Sequence, residues 1–164
     1  MKLNQGVEWA LHTCLNLGWI EEAGDVGAAP TARLADFYDL PPAYLNKQLQ
    51  ALVREGILSS TPGPRGGFRL ARRLEDITVL DVVVAIEGRA GAFDCAQILR
   101  SGPGGDAGTN YRESCLISQT MTKADLAWRK ELASETLADI RERVVSLYPD
   151  TPSSTRSWFL NTKH

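Results

Sequence analysis

The chain has 164 residues, 43% hydrophobic and 23% charged, with a formal net charge of −2. This is the balance of an ordinary globular domain carrying an appendage, and no apolar run approaches the ~20 residues that a membrane span needs. Met1-Lys2 leads directly into a helical pattern instead of a signal-peptide core, so a cytoplasmic protein without membrane contact is expected.

Leu3, Val7, Ala10, Leu11, Cys14 and Leu15 recur at three- and four-residue steps, which predicts an amphipathic helix over residues 3–17. Glu8 and His12 lie four residues apart at the border of its apolar stripe, on one face. A carboxylate and an imidazole one turn apart can grip a single metal ion; equally, they read as a solvated helix charge and a half-buried histidine. Cys14 falls on the core stripe and reads as a small buried hydrophobe.

A Gly- and Ala-rich connection leads to Pro30-Thr31, with Thr31 as the expected N-cap of a short helix over residues 32–38. Asp39-Leu-Pro-Pro42 is a turn, and residues 43–55 form a second helix that Gly56 terminates. Leu45, Leu49 and Leu52 mark its inward face, leaving Lys47, Gln50 and Arg54 outward with Tyr44, Asn46 and Gln48 on the flanks. Two short helices around a tight turn are what a helix-turn-helix needs to enter a major groove. Residues 57–70 then read as two strands around a Pro/Gly hairpin, a wing with Arg65 at its tip. Between Pro30 and Arg73 stand seven basic residues (Arg33, Lys47, Arg54, Arg65, Arg69, Arg72, Arg73) against three acidic ones, so this segment suits a polyanion.

Thr78 and Asp81 have capping-box spacing at the head of a helix that Glu87-Gly88 ends. From Arg89 to Ser114 periodicity is lost and glycines accumulate, giving a loop of roughly 25 residues, a length usually functional or disordered. Cys95 and Cys115 bracket most of it, with 19 residues between them. With Cys14 they are the only cysteines, and the absence of CxxC spacing argues against a disulfide framework, leaving thiolates for metal or redox chemistry. Thr122 is expected to cap the longest helix, running to about Tyr148. Along it Leu126, Lys130, Ala133, Leu137, Ile140, Val144 and Leu147 follow an alternating four-three step, a seam for another helix. Residues 149–164 read as a polar tail apart from Trp158-Phe159-Leu160.

Residues 1–88 closely resemble the bacterial IscR/NsrR/RsrR-type winged-helix repressors. The residues that carry the likeness are Met1-Lys2-Leu3, Tyr44-Leu45-Asn46-Lys47-Gln48-Leu49, Gly66-Gly67-Phe68-Arg69-Leu70-Ala71, and Ile77-Thr78-Val79-Leu80-Asp81-Val82-Val83 leading to Ile86-Glu87-Gly88. The resemblance implies a mainly α fold with a small β wing: a winged helix-turn-helix DNA-binding domain over 1–88, a cluster-binding loop over 89–121, a dimerisation helix over 122–148 and a tail over 149–164. It implies a homodimeric regulator, not an enzyme, binding double-stranded DNA at a palindromic operator. Tyr44, Asn46, Lys47 and Gln50 are the expected groove or phosphate contacts, and Arg65 the expected minor-groove contact.

The commonest pattern of the family carries three loop cysteines where this chain has two. In the redox-sensing RsrR branch a Glu and a His one turn apart on the first helix of the other subunit supply the remaining ligands. Glu8 and His12 match that pair. The resemblance thus implies a two-iron two-sulfur cluster held by Glu8, His12, Cys95 and Cys115. The alternatives are a regulator sensing nitric oxide, zinc or thiol oxidation through Cys95 and Cys115, and an enzyme in which His12 activates Cys95. No oxyanion-hole or substrate-pocket signature accompanies that last pair.

Overall fold

The computed structural model describes residues 3–22, 24, 27–64 and 66–161. Its elements are α1 (Gln5–Glu22), α2 (Thr31–Phe37), α3 (Pro42–Arg54), β1 (Leu58–Thr61), β2 (Gly67–Leu70), α4 (Val79–Glu87), α5 (Tyr111–Ser114), α6 (Leu116–Ala133), α7 (Leu137–Leu147) and α8 (Thr151–Asn161), with 3-10 turns at Leu74–Asp76 and Ile98–Ser101. The architecture is mainly α with one two-stranded antiparallel sheet, as expected.

The central element is α1, which ends five residues beyond the end its periodicity predicted. Every residue from Thr13 to Ile20 is buried, because α3, α4, α7, α8 and β2 all pack around it. Two departures from apolar character hid this extension. The Asn16 amide donates to the Tyr38 hydroxyl at 2.7 Å, and Gly18 leaves room for the Leu74 side chain, which a Cβ there would meet at 2.6 Å. Gly6 plays the same part at the other end, where Gln48 packs against it. Gln48 is therefore buried and not on the outer flank of α3.

Pro30, not Thr31, holds the N-cap position of α2, and no side chain caps that end. The turn passes through Asp39 with φ 53, and Leu45, Leu49 and Leu52 of α3 are fully buried as their spacing required. Each such burial stabilises by roughly 1.5–3 kcal/mol. In the wing, Leu58 pairs with Leu70 and Thr61 with Gly67. Ala29, from the connection before α2, joins as a third partner: its N–H donates to the Phe68 carbonyl at 2.9 Å and its carbonyl accepts from the Phe68 N–H at 2.8 Å. The Thr78–Asp81 capping box at the head of α4 is formed in both directions.

The helix expected over residues 122–148 is two helices. α6 begins at Leu116, six residues early, so Thr122 lies inside it and caps nothing. α6 stops at Ala133, where the Ser134 hydroxyl turns back to the Glu131 carbonyl at 2.7 Å. α7 then restarts behind a new capping box between Thr136 and Asp139. The backbone between them is claimed by a distant partner: the Val79 N–H donates to the Glu135 carbonyl and the Leu137 N–H to the Ile77 carbonyl, both at 2.9 Å. That bridge turns the seam inward. Leu137 is fully buried and Ile140 and Val144 pack on the same core, whereas Leu126 remains 61% exposed.

The tail is also a structural element. Phe159 of α8 is buried, stacking on Phe37 with ring centroids 5.4 Å apart, and Trp158 meets Phe37 edge-on at 5.0 Å. Arg33 lies over the Trp158 ring at 4.6 Å and donates to the Trp158 and Phe159 carbonyls at 3.2 and 2.9 Å. No helix among the described residues is long and apolar enough to cross a membrane.

Candidate functional site

Two regions of the surface carry chemistry. On the first, α3 presents Tyr44, Asn46 and Lys47 exposed and Gln50 half-buried. Between this helix, the start of α2 and the wing runs a groove of about 560 Å³, lined by Thr31, Asn46, Gln50, Ser60, Gly63 and Gly66 among others. Arg65 lies outside the described residues. The basic excess of this region is smaller in space than in sequence. Arg33 is buried beneath α8, Arg72 sits 3.8 Å from Asp81 and donates to the Asp76 carbonyl, and Arg73 pairs with Glu75 at 3.3 Å. Lys47, Arg54 and Arg69 remain as exposed cations.

The second face is the loop between α4 and α6. It is knitted by its own polar groups, which a reading for hydrophobic period does not detect. The Asp106 carboxylate accepts from the Thr109 hydroxyl at 2.6 Å and the Gly108 N–H at 3.1 Å, and these bonds hold its carboxyl below the usual range, the Thr109 hydroxyl foremost. The Tyr111 hydroxyl accepts from the Asp106 N–H at 2.9 Å. The Tyr111 carbonyl gathers both cysteines: the Cys115 N–H donates to it at 3.1 Å, and the Cys95 Sγ approaches it at 4.0 Å. An Asp94–Arg112 ion pair at 3.0 Å fastens the same closure. Both thiols are half-buried and free, and Cys115 holds the N-cap position of α6. A helix N-terminus favours negative charge, which suits a thiolate ligand. Cys14, by contrast, is fully buried, and burial pushes its thiol up to about 12. It is chemically silent at neutral pH, in keeping with its place on the core stripe.

Glu8 and His12 project from α1, exposed, into a groove of about 380 Å³ whose wall includes Leu3, Val7 and Leu11. Neither side chain has a hydrogen-bond or ion-pair partner among the described residues. Within one chain they do not meet the cysteines: no group of three or more His, Cys, Asp or Glu side chains stands close enough to hold a metal among the described residues. The donor types nevertheless fit a cluster. Each chain offers two soft thiolates on one surface and two harder ligands, free of competing partners, on another.

Sequence reasoning missed the attachments of the loop to the body. Arg129 and Asp125 of α6 form an ion pair at 2.8 Å and both reach back to the backbone just after α4. Their i,i+4 spacing is the signal in the sequence that points to this pair. The Arg129 hydrogen bond is the main cause that holds the Asp125 carboxyl below its usual range.

A family model described as "Rrf2: Iron-dependent Transcriptional regulator" matches residues 3–143. The HTH-type transcriptional regulator YffB of Lactococcus lactis subsp. lactis (strain IL1403) is 33% identical over 142 residues, covering 87% of this chain and 88% of that protein. The HTH-type transcriptional regulator YwgB of Bacillus subtilis (strain 168) is 32% identical over 149 residues, covering 90% and 89%. Among solved structures, T. potens IscR superposes with a TM-score of 0.63 at 21% identity, covering 90% of this chain and 91% of that one.

Proposed function

This chain belongs to the Rrf2 family of DNA-binding transcriptional regulators, and from that premise we propose that it is a homodimeric redox sensor. Its operator affinity follows the state of a two-iron two-sulfur cluster ligated by Cys95 and Cys115 of one protomer and Glu8 and His12 of its partner. The observation that carries this reading is the division of donors. One chain carries two free, half-buried cysteines in the closure around Tyr111, Cys95 with its thiol at the Tyr111 carbonyl and Cys115 through its backbone N–H, and a Glu–His pair without partners among the described residues lines a groove on α1, so each chain supplies half of a four-ligand set. The open apolar stripe of α6, with Leu116, Ile117, Met121 and Leu126 exposed, supports the second copy that this division requires. When bound, such a cluster would supply a one-electron change, with imidazole in place of thiolate raising its potential. Glu8 and His12 stand on the helix that packs against α3, and Cys115 heads α6, which packs on α4, itself a neighbour of α3, so a change at the ligands reaches the recognition helix through these contacts. Tyr44, Asn46, Lys47 and Gln50 take the major groove or its phosphates, and Arg65 the minor groove, of a palindromic operator.

A second reading rests on the same cysteines. Two free, half-buried cysteines held by the same Tyr111 closure within a single chain also suit a disulfide, making the loop a thiol-oxidation switch without metal.

Protein purified without oxygen is expected to contain iron and sulfide in near equal amounts, two clusters per dimer, with visible charge-transfer bands. Cys95→Ala and Cys115→Ala each abolish the bands, while Glu8 and His12 substitutions change them by degrees. Full spectra in both cysteine variants would refute the ligand assignment. Colourless protein that forms a Cys95–Cys115 bond on oxidation supports the second reading.

A further inference from the structure

The loop that carries Cys95 leaves α4 at Gly88, and its first residues are tied down by one pair of side chains. Arg129 donates to the Ala90 carbonyl at 2.9 Å and to the Arg89 carbonyl at 3.4 Å. Asp125 accepts from the Ala92 N–H at 3.3 Å and from Arg129 Nε at 2.8 Å. The two side chains are only 21% and 15% exposed, so this is not a solvated pair on a helix surface. Each partner also satisfies backbone groups of a segment remote in sequence, which the planar guanidinium fork can do and a point charge cannot. Cys95 follows three residues after Ala92.

Residue 89 has a second attachment. Its side chain reaches Glu55 at 3.0 Å, and Glu55 is the C-cap residue of α3, the recognition helix. At 80% exposure for Arg89 this ion pair adds little to stability, so what it contributes is the relative position of two elements. The same junction receives the first helix, because the Asn4 N–H donates to Glu87 in the last turn of α4. The entry of the sensor loop, the end of α4, the end of α3 and the start of the helix bearing Glu8 and His12 are thus linked near one half-buried pair on α6.

We propose that Asp125 and Arg129 are positioning residues for the sensor loop, and that Arg89 and Glu55 convey the loop's position to the recognition helix. Both cysteines are then referred to one rigid element: Cys115 directly, as the N-cap residue of α6, and Cys95 through the pair roughly three to four turns further in. A change in the bonding of Cys95 moves residues 89–92 against this anchor and draws on the end of α3. The link to DNA rests on the cluster reading above; the positioning of the loop does not.

The test uses the full-length protein with Arg129→Leu, Arg129→Lys, Asp125→Asn and Glu55→Gln variants and two readouts. Hydrogen exchange of peptides covering residues 89–95, measured in metal-free protein, is expected to speed at least tenfold in Arg129→Leu, less in Arg129→Lys and Asp125→Asn, and not at all in Glu55→Gln. The ratio of operator affinities between oxidised and reduced cluster-loaded protein is expected to fall at least tenfold in Arg129→Leu and Glu55→Gln with iron content unchanged. Unchanged exchange in folded Arg129→Leu and Asp125→Asn overturns the positioning role. A loosened loop with the wild-type affinity ratio overturns the link to α3. Wild-type protein without iron overturns the cluster reading and the DNA link built on it, and the exchange measurement still decides the role of Asp125 and Arg129.

Discussion

At the scale of single residues, burial and backbone conformation decide what an amino acid is used for. Three cysteines share one chemistry, yet Cys14 is sealed in the core with its thiol pushed up to about 12, while Cys95 and Cys115 stay half-exposed at a common carbonyl. Glycines divide in the same way. At Gly6 an added methyl would meet the end of the Gln48 side chain, which can swing aside. At Gly67, φ is +152 and the methyl would lie 2.3 Å from the Ala29 carbonyl oxygen, where nothing can give without breaking the bridge that braces the wing. Gly67→Ala is therefore expected to destabilise by roughly 1–3 kcal/mol or more, from the strained conformation alone. It should also weaken operator binding, because the groove beside Asn46 and Gln50 uses that hairpin as its wall. Urea denaturation and a DNA titration measure both effects, and a variant with wild-type values in each contradicts the brace.

Helices here end where side chains and remote backbone compete for the same groups. The 122–148 segment has the hydrophobic step of a continuous helix, but Thr136 and Asp139 exchange hydrogen bonds and Ile77 and Val79 engage the flanking peptides. Thr136→Ala removes the hydroxyl that accepts from the Asp139 N–H at 3.1 Å and donates to its carboxylate at 2.7 Å. The expected loss is about 1 kcal/mol, or ~2–4 °C in Tm for a chain of this size. The effect depends on pH. Asp139 is held below its usual range, chiefly by the Thr136 hydroxyl, so its contribution is complete above the ordinary aspartate range and lost as pH falls through the lowered folded value. The Tm difference between wild type and variant is thus expected to shrink in acid; a difference that grows there would contradict the capping role.

Across the whole molecule, the last helix belongs to the core of the first. Phe159 and Trp158 close over Phe37 and Arg33, so residues near the C-terminus finish the helix-turn-helix. Phe159→Ala is expected to destabilise by about 3–5 kcal/mol, and a chain ending at Asp150 by more. Denaturation curves test this, with Trp158 fluorescence as a local probe in Phe159→Ala. If Phe159→Ala unfolds at the wild-type denaturant concentration, α8 is an appendage after all.

Sequence alone determined the locally encoded elements: the helix-turn-helix with its leucine face, the hairpin wing, the Thr78–Asp81 cap and a glycine-rich segment between two cysteines. Those features follow from side-chain period, proline and glycine punctuation and capping spacing, which act over a few residues. Tertiary structure decided the rest, because it depends on partners dozens of positions away. It withdrew Arg33 from the basic face and Gln48 from the outer flank of α3, broke the expected long helix at the Ile77–Val79 bridge, folded the tail onto α2 and brought the Cys95 thiol to the Tyr111 carbonyl. It also put Glu8 and His12 on a surface apart from those cysteines. Local spacing could pair Glu8 with His12, but only the packing of α1 against its neighbours settled which way that pair faces.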